Sequence, residues 1–194
     1  KWEEYDNSIL AIFITFYYLK VDQNILLKFF KSMEMDLYKF KYSSQEELLE
    51  YMDGSAGIVG EIMYLIMLND RNNWSKEINE SAKNLGYAFQ MTNFIRDFRE
   101  DFNMKPKRIY LPSLINFYNN NILFNLCFQN NNNIKSKILL EINKNKKYYL
   151  HADKGINVLE NEYKKSIFIA RNMGMGILNK IERNNYSFNC DNNL

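Results

Sequence analysis

An all-α fold is the class this sequence predicts, and three observations predict it. Apolar residues recur mostly at spacings of three and four, the period of a helix face, and strict alternation is rare. Two prolines and seven glycines in 194 residues are too few turn signals for a sandwich or barrel of short strands. No internal repeat and no Pro- or Ser-rich linker divides the chain. Residues 1–186 are therefore expected to form a single domain, followed by a polar tail at 187–194.

The first helix is expected over Tyr5–Leu19 and the second over about Gln23–Asp36. Ile9–Leu19 is an apolar run of about 11 residues, short of the roughly 20 that cross a bilayer, so it reads as a buried helix. Ser44 followed by Glu47 has capping-box form and opens a helix reaching Leu68. Gly54, Gly57 and Gly60 fall inside it, each unfavourable by about 1 kcal/mol relative to Ala. Three such glycines predict a kink, or a face that something approaches closely. Asn69–Asn73 reads as a polar turn. Ser75 starts a long helical pattern through Phe102, which Pro106 ends because proline lacks the amide donor. Pro112 begins a short helix, and the Asn runs at 119–121 and 130–133 read as loops. Two last helices are expected at about Ile134–Glu162 and Tyr163–Asn184.

Composition narrows the chemistry. Lys and Arg total 25 against 23 acidic residues, a formal net charge of +2, which is weak for a nucleic-acid footprint. No nucleic-acid partner is expected. Cys127, Cys190 and the single His151 exclude a Cys/His zinc site and a disulfide framework. Any metal must rest on oxygen ligands, which favours Mg²⁺, Ca²⁺ or Mn²⁺. With no signal-like segment, a cytoplasmic location is expected. His151 has no Ser or Cys tied to it and receives no role, and no Gly-rich turn offers a nucleotide site.

The informative stretch runs from Gln90 to Asp101. Positions four apart share a helix face, so Asn93, Asp97 and Asp101 form one column of oxygen ligands with Gln90 near its start. Two carboxylates one turn apart repel, and a hard divalent cation between them would relieve that repulsion. A solvated face is the alternative, with Arg96 pairing to Glu100 and Asp97 to Arg99 or nearby cations. The apolar neighbours Phe89, Met91, Phe94, Ile95, Phe98 and Phe102 favour the metal reading. Downstream, Lys105, Lys107 and Arg108 could hold a diphosphate, or could simply answer a helix C-terminus. In Tyr51–Gly60 the small residues either let two helices pack closely or carve a groove for a chain-like ligand.

The stretch Asn93–Asp101, followed by Arg108-Ile109-Tyr110-Leu111-Pro112, resembles the second aspartate-rich motif and trailing signature of squalene and phytoene synthases. Tyr51–Gly60 resembles the preceding helix in the phytoene synthase branch, and Met33–Leu37 the earlier Gly-Met-x-x-Asp-Leu element. The last helix is similar through Ile177-Leu178, Ile181-Glu182 and Asn185-Tyr186. The resemblance implies an all-α isoprenoid synthase fold, with helices around a central apolar cavity and acidic motifs at its mouth. It implies Mg²⁺-dependent head-to-head joining of two prenyl diphosphates, geranylgeranyl diphosphate giving phytoene, in carotenoid and isoprenoid biosynthesis. Mn²⁺ can stand in for Mg²⁺ on such ligands, and NADPH is not expected for phytoene.

Carried over by residue, Asp97 and Asp101 become catalytic metal ligands, with Asn93 a metal or diphosphate neighbour. Gln90, Arg108 and Tyr110 would bind substrate, while Tyr51, Ala56, Gly57 and Gly60 would line the cavity. The family's first aspartate motif has no counterpart, since Asp6 and Asp22 lack an acidic partner at helical spacing, so an N-terminally truncated domain is expected. Two further departures are Lys107 before Arg108, and Gly174 where the last helix usually has Tyr. Arg171 falls one position from the family's arginine and is left out of the site. A prenyl diphosphate is the implied partner, with peripheral association at a membrane surface and an oligomeric state the sequence does not give. A squalene synthase-type enzyme and a non-catalytic assembly or binding protein of the same fold are the alternatives.

Overall fold

The computed structural model describes residues 7–68, 75–119 and 132–186. The turn expected at Asn69–Asn73, the polar tail, both cysteines and most of the Asn runs lie outside them.

Local side-chain chemistry sets most helix starts. Helix α1 spans Asn7–Leu19. The Asp22 carboxylate caps α2, Gln23–Tyr38, by accepting from the Asn24 amide at 2.9 Å. Ser44 caps α3, Gln45–Met52: its hydroxyl accepts from the Glu47 amide at 3.2 Å, and the Glu47 carboxylate reaches back to the Ser43 amide at 2.8 Å. The Ser75 hydroxyl accepts from the Ile78 amide at 3.2 Å and opens α5, Lys76–Arg96.

The glycine-bearing helix does kink. A π-helical turn, Asp53–Gly57, separates α3 from α4, Ile58–Met67. Its glycines also admit close neighbours. A Cβ on Gly54 would strike the Ser32 hydroxyl, one on Gly57 would stand 2.6 Å from the Tyr87 ring, and one on Gly60 would meet the Ala82 carbonyl. Gly86 faces the Ala56 carbonyl in the same way, so the π turn and α4 pack on α5 backbone against backbone.

The single helix expected from Ser75 through Phe102 is broken. Asp97, at φ −91 and ψ 3, ends α5 and starts α6, Phe98–Asn103. The bonds Asp97 N–H to Asn93 O, 2.8 Å, and Asp101 N–H to Asp97 O, 2.9 Å, carry the four-residue ladder across the bend. The side-chain spacing therefore gave no sign of it. A 3₁₀ turn at Pro112–Leu114 leads into α7, Ile115–Asn119. The last two helices are α8, Asn132–Val158, and α9, Asn161–Arg183. The boundary between them comes earlier than expected, because Leu159 turns into the core and ends the run.

Helix α5 is the axis of the bundle, packed along α8, α4 and α9. Met91, Ile95, Phe98, Phe102, Ile142, Tyr149 and Leu178 form the main core around its C-terminal half. A smaller cluster of Tyr64, Leu68, Ile78, Ala82 and Leu159 sits at its other end, where the Tyr64 hydroxyl donates to the Gly155 carbonyl at 3.1 Å. Helix α1 departs from the buried helix its apolar run predicted. It buries no side chain, Tyr17 is 83% exposed, and it shares an open apolar groove with α2 at the edge of the bundle. Among the described residues β structure is limited to an isolated bridge between Lys41 and Ile109. That bridge brings the Arg108–Tyr110 segment beside the end of α2.

Candidate active site

The backbone ladder from Asn93 through Asp97 to Asp101 continues across the break in the helix. Gln90 faces an apolar cavity of about 360 Å³ between α4, α5 and α8, which Ala56, Gly60, Leu85, Phe89, Ala152 and Ile156 also line. Its rim includes the part-exposed Val59 and Met63. From Gln90 the column climbs one turn to the exposed Asn93, then to Asp97 at the bend and Asp101 on α6.

Asp97 is gripped by its own neighbour. Arg96 Nε donates to one carboxylate oxygen and Nη2 to the other, each at 2.6 Å, a two-pronged charge-assisted contact. Arg96 pairs with Asp97 rather than with Glu100, so Asp97 has a nearby cation of the kind the solvated-face alternative called for. Burial, reinforced by the nearby Asp97 charge, pushes the Asp101 carboxyl up to about 6, although Arg108 pulls the other way. Two carboxylates so coupled, with an amide oxygen one turn away, are hard donors whose repulsion a divalent cation would relieve. The donor set therefore fits Mg²⁺ or Mn²⁺ in kind. Among the described residues no group of three or more His, Cys, Asp or Glu is placed to hold a metal, so further ligands would be phosphate oxygens and water.

Of the three downstream cations, Lys105 is exposed and the Lys107 ammonium lies 4.9 Å over the Phe102 ring. Arg108 joins the acids through its main chain. Its amide donates to the Asp101 carbonyl at 2.8 Å, and its Nη1 donates to the Tyr110 hydroxyl at 2.9 Å. Tyr110 stacks on Phe94 with centroids 4.1 Å apart and planes within 8°.

The residues expected to line the cavity divide into two groups. Ala56 and Gly60 do line it, with Gln90. Gly57 packs against Tyr87 instead. Tyr51 is 3% exposed within an aromatic stack with Tyr42, Tyr110 and Phe94, its hydroxyl donating to Asp36 at 2.9 Å. The small residues thus serve both readings, helix packing on one side and a groove on the other. Asp36 and Tyr42 were not in the expected site, although the Met33–Leu37 resemblance was a signal for the first. His151 is exposed.

Comparison with known proteins establishes the family. The family model for squalene/phytoene synthase matches residues 12–193, and the chain belongs to that family. It is 29% identical over 194 residues to a 15-cis-phytoene synthase of Synechocystis sp., covering 94% of this chain and 56% of the relative. A 15-cis-phytoene synthase of Synechococcus elongatus is 30% identical over 167 residues, 80% of this chain and 53% of that one. The squalene synthase HpnC structure from Alicyclobacillus acidocaldarius superposes with a TM-score of 0.77 at 20% identity, covering 91% of this chain and 65% of that chain. That likeness shows the fold. The chain spans about half the length of the relatives it matches.

Proposed function

We propose that the full-length protein is a phytoene synthase-like prenyltransferase that joins two prenyl diphosphates, geranylgeranyl diphosphate being the substrate and phytoene the product. One observation carries this reading: a column of oxygen donors leads from an apolar cavity to a network of carboxylates and a fixed arginine. Asn93, Asp97 and Asp101 are the residues that would hold Mg²⁺. When bound, that ion neutralises the diphosphate and stabilises it as it leaves. Arg108 contributes positive charge to the departing anion from a position already set by its hydrogen bonds. The apolar cavity receives the prenyl tail and excludes water from an allylic cation, and Phe89 offers an aromatic face beside it. Gln90, at the junction, orients the head of the substrate relative to its tail.

The test supplies the full-length protein with geranylgeranyl diphosphate and Mg²⁺ and follows both pyrophosphate release and the hydrocarbon formed. Phytoene without NADPH supports the proposal. Squalene-type product that needs NADPH favours the squalene synthase reading, and substrate binding without turnover favours a binding protein. No helix among the described residues is long and apolar enough to cross a membrane.

A further inference from the structure

We propose that Asp36 is a positioning residue that sets Arg108 for diphosphate binding, its carboxylate fixing the buried Tyr51 phenol beside the turn of α2 whose carbonyl holds the guanidinium, an inference that rests on the functional reading above. Asp36 stands in the last turn of α2, in the Met33–Leu37 element that the site otherwise leaves without a task. Its carboxylate accepts from the Tyr51 hydroxyl at 2.9 Å, across 15 positions of sequence. Its main-chain carbonyl accepts from Arg108 Nη2 at 3.2 Å, across 72 positions. The other arm of that guanidinium donates to Tyr110 at 2.9 Å. One residue thereby joins the two substrate-side segments that the sequence keeps far apart.

A second observation marks the same spot. Tyr42 is fully buried between Tyr51 and Tyr110, with ring centroids 5.2 and 5.7 Å away, and its hydroxyl has no hydrogen-bond partner. After burial, the Asp36 charge is the largest influence on that hydroxyl. Asp36 therefore anchors the Tyr51 phenol through its carboxylate and the Arg108 guanidinium through its main-chain carbonyl. A guanidinium held at two points keeps its remaining N–H groups aimed, and loses less freedom when an anion arrives.

The sign of the effect makes this testable. A bystander carboxylate repels a diphosphate, so removing it would tighten binding. A positioning carboxylate gives the opposite result. Calorimetric titration of this chain with inorganic pyrophosphate in excess Mg²⁺ is expected to show Asp36→Asn binding about five- to tenfold more weakly than wild type, the scale of a lost charge-assisted contact. Asp36→Ala is expected to be weaker still, with helicity by circular dichroism unchanged in the isosteric Asn variant. In an Arg108→Ala background, Asp36→Asn is expected to weaken binding no further, because the group it positions is gone. Unchanged or tighter pyrophosphate binding by Asp36→Asn, or an undiminished effect without Arg108, overturns the inference alone. A wild-type chain that binds no pyrophosphate overturns the functional reading together with it.

Discussion

The hydroxyl of Tyr149, on α8, occupies the space in which a side chain on Gly174 of α9 would begin. Tyr149 is fully buried and lies 2.8 Å from the Thr92 hydroxyl, which spends its own hydrogen on the Ala88 carbonyl at 2.8 Å. Thr92 thus accepts from Tyr149, as it does from Asn145 Nδ2 at 2.9 Å. This node sits one residue before Asn93 of the oxygen column. Gly174→Ala is expected to lower stability by about 1–3 kcal/mol through overpacking. Urea denaturation measures it, and adding Tyr149→Phe should recover part of the loss.

Gly86 presents a harder case, because the obstacle is backbone. A Cβ there meets the Ala56 carbonyl, which no rotamer can move aside. Gly86→Ala is expected to destabilise more than Gly174→Ala in the same denaturation series, by about 3 kcal/mol or more once two helices are forced apart.

Two carboxylates around Lys83 respond to pH with opposite signs. For Asp53 the push of burial is outweighed by hydrogen bonds from Tyr87 at 2.6 Å and Lys83 at 3.0 Å, so its carboxyl lies below its ordinary value. Its stabilisation is present above the unfolded value and is lost as pH falls through the folded one. Glu61 is raised, first by burial, against the pull of Lys83 and Asn79. Its proton stabilises the fold below the unfolded value, and that contribution is lost as pH rises through the raised one. Glu61→Gln should therefore flatten the decline in stability on the basic side of about 4.5, as thermal midpoints measured from pH 4 to 7 will show.

The rim of the cavity can be filled without disturbing the core. Val59 and Met63 line it and are 45% and 47% exposed. Val59→Trp or Met63→Trp is expected to reduce affinity for a fluorescent prenyl alcohol by about tenfold, with the thermal midpoint shifting little. Equal binding by all three proteins would show that the tail lies elsewhere.

Much of the architecture was legible because helix periodicity and caps are local. Ser44, Ser75 and Pro112 mark helix starts in the sequence and do so in the structure. The break at Asp97 was hidden because the four-residue hydrogen bonds continue through it. The exposure of α1 depends on what packs over it, which no pattern within the helix records. The oxygen column could be read from spacing, whereas Asp36 and Tyr42 join the site through contacts spanning tens of residues. The departure at Gly174 also has a structural reason, since Tyr149 from another helix fills that place.

The central claim is that Asp97 and Asp101 together grip a divalent cation on which pyrophosphate rides. Electron paramagnetic resonance of Mn²⁺ titrated into this chain with pyrophosphate tests it directly. The wild type is expected to take up the ion, and Asp97→Asn and Asp101→Asn should each weaken uptake at least about tenfold while circular dichroism stays unchanged. Uptake equal to wild type in both variants would contradict the account.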